Sequence, residues 1–133
     1  MSVFVDTSAV YALLDADDAN HVRARQAFEG LRDVELRTHA YVVVESLALV
    51  SRRLGMVAAD DLIDRLLPVI EVVPVDAPLH SLALTAFREA GSPGISFVDR
   101  TSFAYMRLRG IETAFTFDAD FARAGFQVVP QAR

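Results

Sequence analysis

The sequence predicts an α/β fold in which helices cover both faces of a central parallel sheet of about five strands, a three-layer α/β/α arrangement. Three observations predict it. Short runs rich in β-branched and aromatic residues recur along the chain, helical patterns separate them, and glycines fall where those helices should stop. Such alternation implies parallel strands joined by helices that pack on the two faces.

The first strand is "SVFV", Ser2 to Val5, and the first helix covers Thr7 to Leu14. A second helix over Ala19 to Leu31 leads to the strand "VELR", Val34 to Arg37. Two helices follow, Tyr41 to Arg53 and Ala58 to Leu67, before the strand "IEVVPV", Ile70 to Val75. Helices over Pro78 to Glu89 and Phe97 to Leu108 precede "ETAFTF", Glu112 to Phe117. A short helix after Asp118 and the strand "FQVV", Phe126 to Val129, complete the pattern. Gly30, Gly55, Gly91, Gly110 and Gly125 each fall at or just past one of these helix ends, where a left-handed residue closes the last turn. There is no internal repeat, low-complexity tract or long linker.

At 133 residues and 53% hydrophobic content the chain fits one domain, residues 1–133, with ample material for a core. No apolar run approaches the ~18 residues of a membrane span, and "MSVFVDTSAV" has no basic segment ahead of a long apolar one. A cytoplasmic protein without membrane contact is expected. The absence of cysteine excludes a disulfide framework and any thiolate metal site or nucleophile. All 13 positive charges are arginine, so lysine-dependent phosphate sites and Schiff-base chemistry are excluded as well. The net charge of −5 argues against nucleic-acid binding through bulk positive charge, so any such role rests on a local site.

The chemistry-bearing residues are acidic. In open α/β sheets the working crevice lies beyond the carboxyl ends of the strands. Asp6 directly follows "SVFV" and Asp118 directly follows "AFTF", so both leave the same sheet edge if their strands are parallel neighbours. Each also suits a helix N-cap, since "DTSAV" and "DADFA" both open helices. Asp99 stands three residues after Ser96, the spacing of a capping box, and in a first turn it complements the helix dipole. Glu45 lies in "AYVVVESLALV", a helix apolar on nearly every side, where a carboxylate needs a partner. Arg52 or Arg53 could supply one, and so could a cation shared with other acids. Oxygen ligands without His or Cys suit Mg²⁺ or Mn²⁺, whereas His21, His39 and His80 are scattered and no HExxH occurs.

Taken together, "VFVDTSAVYALLD", "THAYVVVESLALVSRRLG" and "ISFVDRTSFAYMRLRGIETAFTFDADFARAGFQVVP" resemble PIN-domain proteins of the VapC toxin type over nearly the whole chain. The resemblance implies a metal-dependent endoribonuclease that leaves 5′-phosphate and 3′-hydroxyl ends. Asp6, Glu45, Asp99 and Asp118 match the family's catalytic acids, which hold Mg²⁺ or, in its place, Mn²⁺. Asp120 matches a further metal-binding acid, and Thr7 and Thr116 match hydroxyl residues lining the site. Arg100 is the first arginine expected to meet the RNA backbone, while Arg23, Arg25 and Arg32 read as a solvated helix face. The resemblance also implies homodimerisation and a cognate antitoxin lying in an apolar groove, for which Tyr11, Leu13, Leu14, Leu54 and Met56 are candidate material. A noncatalytic PIN-like module that binds protein or RNA is the competing reading. Phosphotransfer receivers and haloacid-type phosphatases are disfavoured by the missing lysine, and "DTSAV" lacks the phosphatase's second aspartate.

Overall fold

A computed structural model describes residues 1–132 of the chain. Its five strands are β1 (Ser2–Val5), β2 (Glu35–His39), β3 (Glu71–Val73), β4 (Thr113–Phe115) and β5 (Gln127–Val129). They pair in parallel throughout in the order β3-β2-β1-β4-β5. The chain moves outward from β1 to β3 and then returns to place β4 on the other flank of β1. That reversal leaves a crevice at the carboxyl ends of β1 and β4, where α/β sheets hold ligands.

Seven helices among the described residues connect the strands: α1 (Thr7–Leu14), α2 (His21–Gly30), α3 (Ala40–Leu54), α4 (Met56–Asp61), α5 (Ala77–Ala90), α6 (Phe97–Arg109) and α7 (Ala119–Arg123). The period of two along β1 divides the core between the faces. Val3 and Val5 pack with Val10, Ala24, Val50, Leu62 and Phe115 on one face. Phe4 packs with Val42, Leu79, Phe103, Met106, Ala114 and Phe121 on the other. Burying each of these large side chains is worth about 1.5–3 kcal/mol, so both faces must be covered and the three layers follow.

The structure departs from the sequence reading in three local places. The helix expected over Ala58 to Leu67 begins earlier, at Met56, and stops being α-helical at Asp61. It continues as a π turn, Leu62–Leu66, and a 3₁₀ turn, Leu67–Val69. Pro68 lies in that last turn, where it cannot donate to a helical ladder, and the wider π turn keeps both Leu62 and Leu66 buried. Gly30 does not adopt the left-handed conformation expected of it, whereas Gly55, Gly91, Gly110 and Gly125 all have positive φ. The helix before Leu31 ends with ordinary φ at its cap, so Gly30 is simply the last helical residue. β2 runs on past "VELR" to His39, whereas β3, β4 and β5 are shorter than the runs "IEVVPV", "ETAFTF" and "FQVV" that predict them.

Candidate active site

Asp6 caps α1 at the end of β1 and is 3% exposed. Its backbone N–H donates to the Phe115 carbonyl at 3.1 Å, which fixes the exits of β1 and β4 against each other. One carboxylate oxygen, Oδ2, takes every bond the protein offers it. Ser8 Oγ donates at 2.7 Å, Thr116 Oγ1 at 2.8 Å and the Ser8 N–H at 3.4 Å. The same hydroxyls accept the N–H groups of Phe117 at 2.9 Å and Asp118 at 3.0 Å. Two loops are thus knotted through two hydroxyls, and Asp6 Oδ1 stays free of protein donors among the described residues. Burial pushes the Asp6 carboxyl above its usual range, the Ser8 and Thr116 bonds oppose that shift, and the Asp118 charge adds to it.

Asp118 caps α7 in the same way, its Oδ1 accepting the Asp120 N–H at 2.9 Å. Asp99 lies in the first turn of α6, with its N–H donated to Ser96 Oγ at 3.0 Å. Only that half of the capping box forms. The Asp99 carboxyl turns toward Asp118 instead, and it is pushed up to about 8 by burial first and then by the charges of Asp6, Asp118 and Glu45. Oxygens of Asp99, Asp118 and Asp120 all lie within 4.8 Å of one another. Arg123 Nη1 donates to Asp120 Oδ1 at 2.9 Å, on the exposed side of α7.

Glu45 is half-buried on α3. Neither arginine suggested as its partner pairs with it. Among the described residues Glu45 forms no salt bridge, and the Arg53 guanidinium lies 5.8 Å over the Tyr11 ring. The reason is reach, since Arg52 and Arg53 occupy the last turn of α3 while Glu45 faces Asp99 near its start. The register of α3 is set by His39, its fully buried N-cap. His39 Nδ1 accepts the N–H groups of Tyr41 at 3.2 Å and Val42 at 3.4 Å, so the proton sits on Nε2 and is donated to Ser102 Oγ on α6 at 2.9 Å. Burial depresses this imidazole to about 4, so it stays neutral and ties the Glu45 helix to the Asp99 helix.

Thr116 holds the aspartate network, whereas the Thr7 hydroxyl is buried without a partner among the described residues. Arg100 is half-buried, with its Nε enclosed and without a partner among the described residues. Two residues at the site were not anticipated. Ser8 joins Asp6 to the β4 exit, and a hydroxyl two residues after an aspartate is a turn signal that could have revealed it. Arg23 is not on a plain solvated face. It is half-buried, lies 5.7 Å over Phe117 and lines a hollow of about 220 Å³ together with Thr116 and Asp118. Nothing in its helical spacing announces this, because the neighbour, Phe117, is supplied by the segment that follows β4.

The comparisons with known proteins agree with this geometry. The family model described as PIN domain matches residues 3–127. The chain belongs to the PIN-domain family. Among relatives of this PIN domain, the 23S rRNA-specific endonuclease VapC20 of Mycobacterium tuberculosis is 40% identical over 127 residues, covering 93% of this chain and 95% of the relative. The crystal structure of that M. tuberculosis protein, described as a sarcin–ricin loop cleaving toxin, superposes with a TM-score of 0.84 at 39% identity, covering 93% of this chain and 95% of that one. FitAcB from Neisseria gonorrhoeae shares the fold at a TM-score of 0.72 and 19% identity, with 96% of each chain covered.

The donor set of this PIN domain fits a hard divalent cation. It is all carboxylate, three of its oxygens converge, and burial, followed by the charges of Asp6, Asp118 and Glu45, raises the Asp99 carboxyl to about 8.

Proposed function

We propose that this PIN domain is a metal-dependent endoribonuclease using Mg²⁺, with Mn²⁺ able to replace it, and the toxin of a toxin–antitoxin pair. The observation that carries the reading is the convergence of Asp99, Asp118 and Asp120 beside buried Asp6 at the sheet's switch point, in a chain 40% identical to an rRNA endonuclease. Asp99 and Asp118 would hold the cation with Asp6, and Asp120 would add an oxygen. When bound, the cation supplies charge neutralisation at the phosphate and a lower pKa for water. The protein's own part is placement. The Ser8–Thr116 bonds commit Asp6 Oδ2 to the fold and leave Oδ1 for the site. Glu45, across from Asp99, orients the attacking water and takes its proton as the water oxygen bonds to phosphorus and the 3′ oxygen departs. Arg23, which shares a hollow with Asp118, and Arg100, which adjoins Asp99, are the arginines left to meet a phosphate as charged donors, since Arg123 is paired with Asp120.

We infer the sarcin–ricin loop of 23S rRNA as the first RNA to try, because it is the target named for the relative. The antitoxin would lie along a groove of about 380 Å³ walled by Leu13, Leu14, Phe28 and Leu66. Tyr11 and Leu54 belong to the packed layer behind it, and Met56 is exposed. We extend the proposal to a homodimer acting in the cytoplasm. No helix of the described residues is long and apolar enough to cross a membrane.

Two expected results test the reading. Purified protein cuts a sarcin–ricin hairpin RNA with Mg²⁺ or Mn²⁺ and stops in EDTA, and cleavage undiminished by exhaustive chelation refutes the mechanism. Glu45→Gln abolishes cleavage with little change in denaturant midpoint, because no ion pair is lost. Had a buried pair with arginine been broken, the stability loss would be about 3–5 kcal/mol, and chemical denaturation reads that difference directly.

A further inference from the structure

We propose that the hollow walled by Tyr41, Val44, Phe97 and Val98 is a nucleobase subsite, taking an unstacked base next to the scissile phosphodiester; this rests on the endoribonuclease reading above. The hollow measures about 270 Å³, and among the described residues Glu45 is the one charged residue lining it. It is continuous with the carboxylates. Tyr41 stands one helical turn before Glu45 on the same face of α3, Val98 immediately precedes Asp99, and the Glu45 charge acts on Asp99. A phosphodiester held at Asp99 and Asp118 therefore lies beside the wall that Glu45 and Val98 contribute to the hollow, and its flanking base is the group presented there.

The chemistry of the walls selects the occupant. With two aromatic rings, two valines and no cation, the hollow cannot hold a phosphate, but it matches a flat, largely apolar group. Bases splayed from RNA loops stack on such aromatic platforms. The rings are fixed in advance. The Tyr41 hydroxyl and His80 Nδ1 share a hydrogen bond of 2.7 Å. Phe97 is braced edge-on by His80 at 5.4 Å and by Phe87 at 6.0 Å, and its centroid lies 6.0 Å from that of Tyr41. A braced platform loses little freedom on binding. Val44, 66% exposed on the open side, is apolar surface that a bound base would cover.

The test uses the sarcin–ricin hairpin, or whichever RNA the chelation assay shows to be cut, with the cleaved bond mapped. Copies made abasic at the nucleotide on either side of that bond are then compared with the intact RNA. One abasic copy should lose roughly tenfold in kcat/KM, mostly through KM, the scale of one base–aromatic stack. Phe97→Leu keeps apolar volume and loses the ring face. It should cut intact RNA roughly tenfold less well and no longer distinguish it from the abasic copy. Tyr41→Phe, which keeps the ring and loses only the bond to His80, should still distinguish them. A parent indifferent to both abasic copies overturns the subsite, as does Phe97→Leu that weakens cleavage yet keeps the full discrimination. If sedimentation shows a dimer that Val44→Arg dissociates while discrimination is unchanged, the hollow is an interface with a second copy and the proposal fails. A parent that cuts no RNA with either metal overturns the nuclease reading and the subsite with it, whereas failure of the abasic comparison alone leaves that reading standing.

Discussion

Asp6→Asn is expected to give a folded protein that has lost RNA cleavage by roughly a hundredfold or more, a loss that removing even an outer hydrogen-bond partner of a metal ligand can cause. Asparagine keeps a side-chain oxygen for the α1 cap and for the Ser8 and Thr116 hydroxyls, so the network joining β1 to β4 survives. It removes a charge whose burial is unfavourable, so the melting temperature in EDTA should equal or exceed the parent's. Asp6→Ala should lose cleavage equally but melt lower. It deletes a cap worth about 0.5–2 kcal/mol and strands buried hydroxyls at about 1–3 kcal/mol. Thermal scans of both variants in EDTA beside one cleavage assay separate charge from structure. Full activity in Asp6→Asn removes Asp6 from the site.

The contrast between these two substitutions explains why the sequence could be read only part of the way. Asp6 and Asp118 are caps and face the switch point at once, so weighing capping against chemistry at each position posed alternatives that the structure does not oppose. One oxygen serves the helix and the other is left over. The strands were legible because "SVFV" and "AFTF" are apolar on both faces, and the helix ends because glycines at 55, 91, 110 and 125 adopt backbone angles that other residues avoid. The π turn at Leu62–Leu66 was not legible, since it arises from a compromise between Pro68 and the burial of two leucines. Glu45 was correctly marked as needing a partner, but nothing local shows that the partner is Asp99's cluster rather than Arg53. That depends on His39 fastening α3 to α6, and a histidine in "RTHAY" looks like any other until Ser102 is seen opposite it. Arg23 illustrates the same limit, because its partner ring belongs to a residue 94 positions away, Phe117.

Asp99→Asn should raise the metal-free melting temperature and abolish cleavage together. The folded protein holds this carboxyl near 8, above its ordinary value of 3.8, so ionising it costs stability. Its contribution is fully present below about pH 4, where both folded and unfolded chains bind the proton. It is lost as pH rises toward 8, because there the unfolded chain has released a proton that the folded chain still retains. In EDTA the parent's melting temperature should therefore fall across that window, and Asp99→Asn should fall less steeply, with Asp6 accounting for a remainder. Mg²⁺ at a hundredfold excess over its dissociation constant stabilises the parent by about 2.7 kcal/mol and should stabilise the variant much less. The capping account of Asp99 predicts otherwise. The Ser96 bond is made by the Asp99 backbone and survives in asparagine, so only a first-turn charge would be lost, about 0.3–1 kcal/mol of destabilisation with chemistry intact. A variant that melts lower in EDTA, gains as much from Mg²⁺ and still cuts RNA makes Asp99 a helix residue alone, and the converging trio would then lack the member that joins α6 to α7.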